Sequence, residues 1–291
     1  MKNILVHLSG KPSDVAVLSN ALTIARLFNA HLDCIHVVPD RRALLLRAAN
    51  VDLSSAMILT DALHTLEAEA DKRLEHAREL FFAFCVDHHL ALRDEPNGAE
   101  VVSACWLEQV GKPAAALIRM GHSHDLIVML GSGGHDHLFS ADDIGDVIIG
   151  SGRPVLLVAP DAHVSLQSVT VAWKECPQAA RALNAALPLL IKAERVTVVG
   201  ASEHGASADD IAQCLSSATN HLAWHGVQAD GFPVVPGHRT VADAVLETAA
   251  KSKSRLLVMG GFGHSRLREF AFGGFTQRVL DGTHIPAFVC H

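Results

Sequence analysis

Glycines that follow an apolar strand are the residues of this chain with the clearest chemical use. Between Gly260 and Arg278, the glycines Gly260, Gly261 and Gly263 stand at the end of Leu256-Leu257-Val258-Met259, and Gly273-Gly274 precede Phe275-Thr276-Gln277-Arg278-Val279-Leu280. Glycine at a strand end lets backbone N–H groups approach an anion closely. The start of a following helix adds unpaired N–H groups and a dipole that favours negative charge, and the hydroxyl of Thr276 falls in that first turn. This is phosphate-binding chemistry. The first half has a weaker version, Gly131-Ser132-Gly133-Gly134, with Ile144 nine residues on and Gly145-Asp146 one position out of register. Asp142, Asp143 and Asp146 put the wrong charge there, so the first half is expected to be a structural partner or to bind something other than a triphosphate.

Other groups invite chemistry less strongly. The chain has 19 histidines, and three clusters could hold a metal: His122 with His124, His135 with His137 beside Asp136, and His221 with His225, one helical turn apart. The last pair has no cysteine or carboxylate partner identifiable nearby, and no metal ligand is assigned. His135, Asp136 and Asp142 could hold a divalent cation if their loop folds back; exposed loop polarity explains them equally well. Lys174 and Glu175 could exchange protons beside a phosphate, and a solvent-facing turn before Pro177 accounts for them better. Phosphoryl transfer needs a positioned base, a carboxylate for Mg²⁺ and a cationic clamp. No such set is visible, since salt links would explain Arg266, Arg268 and Arg278. No catalytic residue is assigned, and any ATP hydrolysis is expected to be slow or absent.

The elements that must position these residues occur twice. Asn3–Leu22 and Ser168–Leu187 share one pattern of strand, turn and amphipathic helix, in which Val6 matches Val171, Pro12 matches Pro177 and Leu18 matches Leu183. Asp125-Leu-Ile-Val-Met matches Arg255-Leu-Leu-Val-Met, Gly111 matches Gly237, and the apolar run after Arg153 matches the run after Ile285. The pattern predicts strands at 3–8, 32–38, 101–108, 125–130 and 154–158, with helices at 13–29, 57–90, 113–121 and 142–150. Strands alternating with helices imply parallel strands and right-handed crossovers. The expected fold is therefore α/β: two tandem doubly wound, Rossmann-like parallel-sheet domains, 1–159 and 160–291, with a linker near Pro160 to Gln167. A chain of 291 residues suits two domains. An apolar stripe beginning at Arg41-Arg42-Ala43 could cover a ligand mouth or a partner, or simply pack on a helix.

Composition narrows the function. A net charge of -7 without a lysine/arginine run argues against nucleic acid as a partner. The opening apolar stretch is too short for a secretory signal or a membrane span, which leads to the expectation of a cytoplasmic protein without membrane attachment. The six scattered cysteines read as reduced core thiols.

The spacing Gly260-x-x-Gly263-x9-Gly273-Gly274 resembles the G-x-x-G-x9-G-S/T motif of the universal stress protein family. That resemblance covers the chain as two family domains and implies a stress-response protein that binds ATP or another adenine nucleotide, with Mg²⁺ as a possible companion. By it, Gly260, Gly263, Gly273, Gly274 and Thr276 would hold phosphates, while Trp173, Val199 and Gly200 would line the base and sugar. Two departures stand out. Gly274 replaces the family's hydroxyl residue, and Trp173-Lys174-Glu175 occupies a loop where binders usually have aspartate, so Trp173 either stacks on adenine or fills the pocket. The resemblance also implies edge-to-edge pairing of the last strands, giving an intramolecular pseudo-dimer or a homodimer. The competing reading is a non-enzymatic dimerising scaffold with an empty or plugged site, binding a protein partner or another small ligand.

Overall fold

The computed structural model describes residues 1–40, 53–96, 101–132, 139–201, 208–262, 274–280 and 282–291. The apolar stripe from Arg41 falls outside them. The first repeat runs β1 (Asn3–Leu8), α1 (Asp14–Phe28), β2 (His31–Val38), α2 (Leu53–Asp87), β3 (Ala91–Leu92), β4 (Ser103–Val110), α3 (Pro113–Gly121), β5 (Leu126–Leu130), α4 (Ala141–Ser151) and β6 (Val155–Val158). The second runs β7 (Val169–Trp173), α5 (Pro177–Leu190), β8 (Val196–Ala201), α6 (Ala208–Trp224), β9 (Ala229–Val234), α7 (Val241–Lys251), β10 (Leu256–Gly260), α8 (Gly274–Leu280) and β11 (Ala287–Cys290). Sequence periodicity placed the ends of most first-half elements within about two residues, the usual uncertainty of fraying termini; α2 begins four residues before the expected 57 and ends three before 90.

All strands join one 11-stranded sheet in the order β3-β4-β2-β1-β5-β6-β11-β10-β7-β8-β9. Within each repeat the strands are parallel, and the order reverses between β1 and β5 and again between β7 and β10. These are doubly wound units, each with a switch-point crevice at the carboxyl ends of its strands. The repeats meet where β11 pairs antiparallel with β6, Phe288 opposite Leu156. Each of these strands is paired on both sides, leaving neither an edge for a second chain.

Apolar residues cover both sheet faces. One core cluster spans the seam, uniting Val6, Leu22 and Leu156 with Val171, Leu183 and Phe288. The expected linker is built into this core. Buried Asn20 of α1 donates to Ala162 O at 2.8 Å and accepts from the Val164 N–H at 2.5 Å, and Ala162 and Val164 are themselves buried. All six cysteines are free thiols. No helix among the described residues is long and apolar enough to cross a membrane.

Candidate functional site

A cavity of about 290 Å³ opens at the second repeat's switch point, close to the lower end of the range for ligand pockets, about 300–1,000 Å³. Its walls are the ends of β7 and β10 (Ala172, Trp173, Met259, Gly260), the start of α5 (Gln178, Ala179), Val199 and Ala201 of β8, α7 (Val241, Val245) and the start of α8 (Gly274, Phe275, Thr276). Of the residues assigned from sequence, Trp173, Val199, Gly260, Gly274 and Thr276 are therefore brought together. Gly200 is not in the wall. Strand alternation turns it to the opposite face, where an added Cβ would meet Leu215 at 3.0 Å, and its neighbour Ala201 lines the cavity instead. Gly263 and Gly273 lie outside the described residues, as do Arg266 and Arg268.

Each wall residue has a local reason for its place. Gly260 lies so close to the first turn of α5 that a Cβ would come within 2.5 Å of the Ala179 nitrogen; only glycine lets strand and helix meet there. Gly274 is the opposite case, with open space around the position of its missing Cβ. The Thr276 hydroxyl is buried and accepts from the Phe262 N–H at 3.4 Å, linking the end of β10 to α8. Arg278 ties α8 to α7 through a 3.0 Å ion pair with Asp243, which accounts for that arginine without a phosphate.

Two polar atoms of the wall residues are fully buried: the Trp173 indole nitrogen, whose side chain meets Cys214, and Gln178 Oε1, which has no hydrogen-bond partner among the described residues, a rare arrangement that costs about 1–3 kcal/mol. Trp173 packs against the core cluster that includes Leu183 and Leu215 and borders the cavity rather than filling it. Sequence reasoning missed Gln178, because a glutamine in the first turn of a helix looks like any solvated residue.

The first repeat builds its switch point differently. Asp14 is buried, and its carboxylate accepts from the N–H groups of Ser9 (2.9 Å), Gly10 (2.7 Å) and Lys11 (3.3 Å) and from the Ser9 hydroxyl (2.8 Å). Burial pushes this carboxyl up despite those donors. Gly10, at φ +80°, sits against α2, where a Cβ would fall 2.3 Å from the Arg73 carbonyl oxygen. His7 is buried edge-on to Phe139, ring centroids 4.9 Å apart, and burial, with the charge of His36 adding, pushes it down to about 3. At the start of α4, Ser140 and Asp143 form a reciprocal capping box, so Asp143, which looked wrong for phosphate, serves the helix itself.

Of the histidine pairs, His221 and His225 do meet, ring centroids 4.9 Å apart, but His221 turns to Asn184 at 3.2 Å. His122 and His124 part company: His122 reaches Gly150 O, whereas His124 reaches Asp33. His135, Asp136 and His137 are outside the described residues. A cluster the sequence did not disclose lies toward the amino ends of β2 and β4. There Asp33 accepts from His124 Nε2 (2.7 Å), His31 Nε2 (3.2 Å) and Cys105 Sγ (2.9 Å). Burial raises the Asp33 carboxyl, and the three hydrogen bonds more than offset this, holding it well below the usual carboxylate range. Contacts spanning 72 and 91 residues leave no local spacing to read.

Comparison with known proteins agrees with this architecture. Residues 165–291 match the Universal stress protein family. A universal stress protein from Archaeoglobus fulgidus superposes with a TM-score of 0.63 at 16% identity, covering 99% of this chain and 95% of that one. A protein from Pseudomonas aeruginosa superposes with a TM-score of 0.53 at 16% identity, covering 100% and 93%. At these identities the likeness establishes the fold alone. No curated protein sequence matches the chain. Residues 165–291 thus match a universal stress protein domain, and the two repeats together share the fold of the Archaeoglobus fulgidus protein.

Proposed function

We propose that this is a nucleotide-responsive protein whose second repeat binds an adenine nucleotide of the ATP type at the end of β7, β8 and β10. The observation that supports this best is the open cavity at the switch point, lined by Trp173, Val199, Gly260 and Thr276 at the carboxyl ends of the strands. The apolar walls from Val199, Val241 and Val245 suit the faces of a base. When bound, the nucleotide supplies a polyanion that pairs with backbone amides; the chain's own residues bind and orient it, and no side chain is assigned to hydrolysis.

The protein is proposed to act as a monomeric pseudo-dimer with respect to its last strands, because β6 and β11 use each other's edges. The test is calorimetric titration with ATP, ADP and AMP, with mass spectrometry of whatever the purified protein releases on denaturation. Saturable binding of one nucleotide per chain is the expected result. No binding at millimolar nucleotide would leave the scaffold reading in its place.

A further inference from the structure

The cluster around Asp33 has the composition and placement of a metal site. His31 and Asp33 are two residues apart on β2, so both side chains leave one face of the sheet. The parallel register sets Asp33 opposite Cys105 and His31 opposite Ser103. His124, in the turn between α3 and β5, reaches the other carboxylate oxygen of Asp33 from the next element. The ligand atoms of His31, Asp33 and Cys105 all lie within 4.8 Å of one another. Donors on a tetrahedral Zn²⁺ stand roughly 3.3–3.8 Å apart, given bonds of about 2.0 Å to nitrogen and 2.3 Å to sulfur, so small movements of the side chains would admit the ion.

The outer contacts point the same way. His124 Nδ1 lies 2.7 Å from the Met120 carbonyl oxygen and its Nε2 2.7 Å from a carboxylate oxygen of Asp33, so the ring is fixed at both nitrogens and orients the carboxylate. His31 is held likewise, its Nδ1 2.8 Å from the buried Ser103 hydroxyl and its Nε2 toward Asp33. Fixing one ring nitrogen by hydrogen bond and aiming the other inward is how metal-binding histidines are oriented. Cys105 and His124 are buried, while His31 and Asp33 keep 23% and 16% of their side chains exposed, leaving a path for an ion. The second repeat supplies an internal contrast. The matching positions are Arg195, Thr197, Asp230 and Ser254, which cannot form such a set.

We propose that His31, Asp33 and Cys105 bind one divalent cation of borderline softness, Zn²⁺ foremost, with His124 holding the far oxygen of Asp33 and water completing the shell, as a site independent of the nucleotide cavity. On binding, the Cys105 thiol and the inward-facing ring nitrogen of His31 give up their protons to solvent, and the metal takes their places around the carboxylate. A histidine, a thiolate and a carboxylate favour zinc over magnesium or calcium.

The test uses full-length protein stripped with a chelator and dialysed. Competition with a chromophoric chelator should show one Zn²⁺ per chain, and Co²⁺ should give the thiolate charge-transfer absorption and the intense visible bands of a tetrahedral site. Cys105→Ser should abolish the charge-transfer absorption, and Asp33→Asn should weaken Zn²⁺ binding roughly a hundredfold. Should Asp33→Asn fail to fold, the Co²⁺ spectra of the wild type and Cys105→Ser still decide the matter. The proposal is overturned if stoichiometric Zn²⁺ does not bind, if Co²⁺ shows no thiolate band, or if binding survives Cys105→Ser with His31→Asn and is lost in His221→Asn instead. Nucleotide affinity is not an element of this readout, so either site can fail without the other.

Discussion

The two switch-point crevices of this molecule share a fold and differ in what fills them. In the alignment that pairs Val6 with Val171, His7 falls on Ala172 and Asp14 on Ala179. Both residues of the second repeat line its cavity. In the first repeat the larger pair occupies the same places: the His7 ring packs on Phe139, and the Asp14 carboxylate takes the backbone N–H groups of Ser9, Gly10 and Lys11. Those amides are the kind of anion-binding concavity that a phosphate uses. The first repeat supplies its own anion, and α2 packs down on Gly10 above it. A doubly wound sheet thus provides a crevice by topology, and a few side chains decide whether it stays open.

Exchanging those side chains tests the contrast directly. The largest effect is expected from Asp14→Ala, which copies the second repeat into the first and leaves at least two buried amides unpaired; equilibrium urea unfolding should show a loss of about 2–4 kcal/mol. Wild-type stability would show that the amides find other partners and that the carboxylate does not hold the loop.

The next effect is read from pH. His7 is pushed down to about 3 from an ordinary value of 6.5, so the unfolded chain takes up a proton that the folded one refuses. Stability from this group is complete above about pH 6.5 and falls as pH drops toward 3, by about 2 kcal/mol at pH 5; His36, also lowered by burial, acts in the same sense. Unfolding free energies across this range should flatten in His7→Leu. An unchanged slope would place the titration elsewhere.

Ala172→His makes the reciprocal exchange and should fill the open cavity. Nucleotide affinity is expected to fall at least about tenfold, equivalent to ~1.4 kcal/mol, with the far-UV spectrum intact. Full affinity in this variant would move the ligand out of the cavity. The smallest effect is a gain. Since a side chain at 274 meets open space, Gly274→Ser should restore the family's hydroxyl without strain and tighten nucleotide binding several-fold, about 1 kcal/mol for one hydrogen bond.

Much of the architecture was legible because it is periodic. Alternating strands and helices, and the match of Asn3–Leu22 to Ser168–Leu187, disclose two doubly wound repeats. The apolar runs at 154–158 and 285–290 mark the strands that join them. The glycines at 260 and 274 and the hydroxyl at 276 could be placed near one crevice, since a strand, a loop and a helix that follow one another are tied by the chain. Local pattern failed where a face or a distant partner decides. Gly200 and Ala201 are neighbours in sequence on opposite sides of the sheet, and the spacing that suggested Gly200 carried no information about which side is open. Gln178 looks solvated until the folded wall buries its oxygen.

What the sequence determined by itself was the fold class and the repeat, because propensity and periodicity act within a few residues of each other. Tertiary structure alone decided that Asp14 closes one crevice and that Ala172 leaves the other open. It also decided that His31, Asp33, Cys105 and His124 meet, although the chain visits them across 94 positions. Side chains from separate strands and turns converge only when the sheet sets their register, and register is a property of the packed core rather than of any one segment.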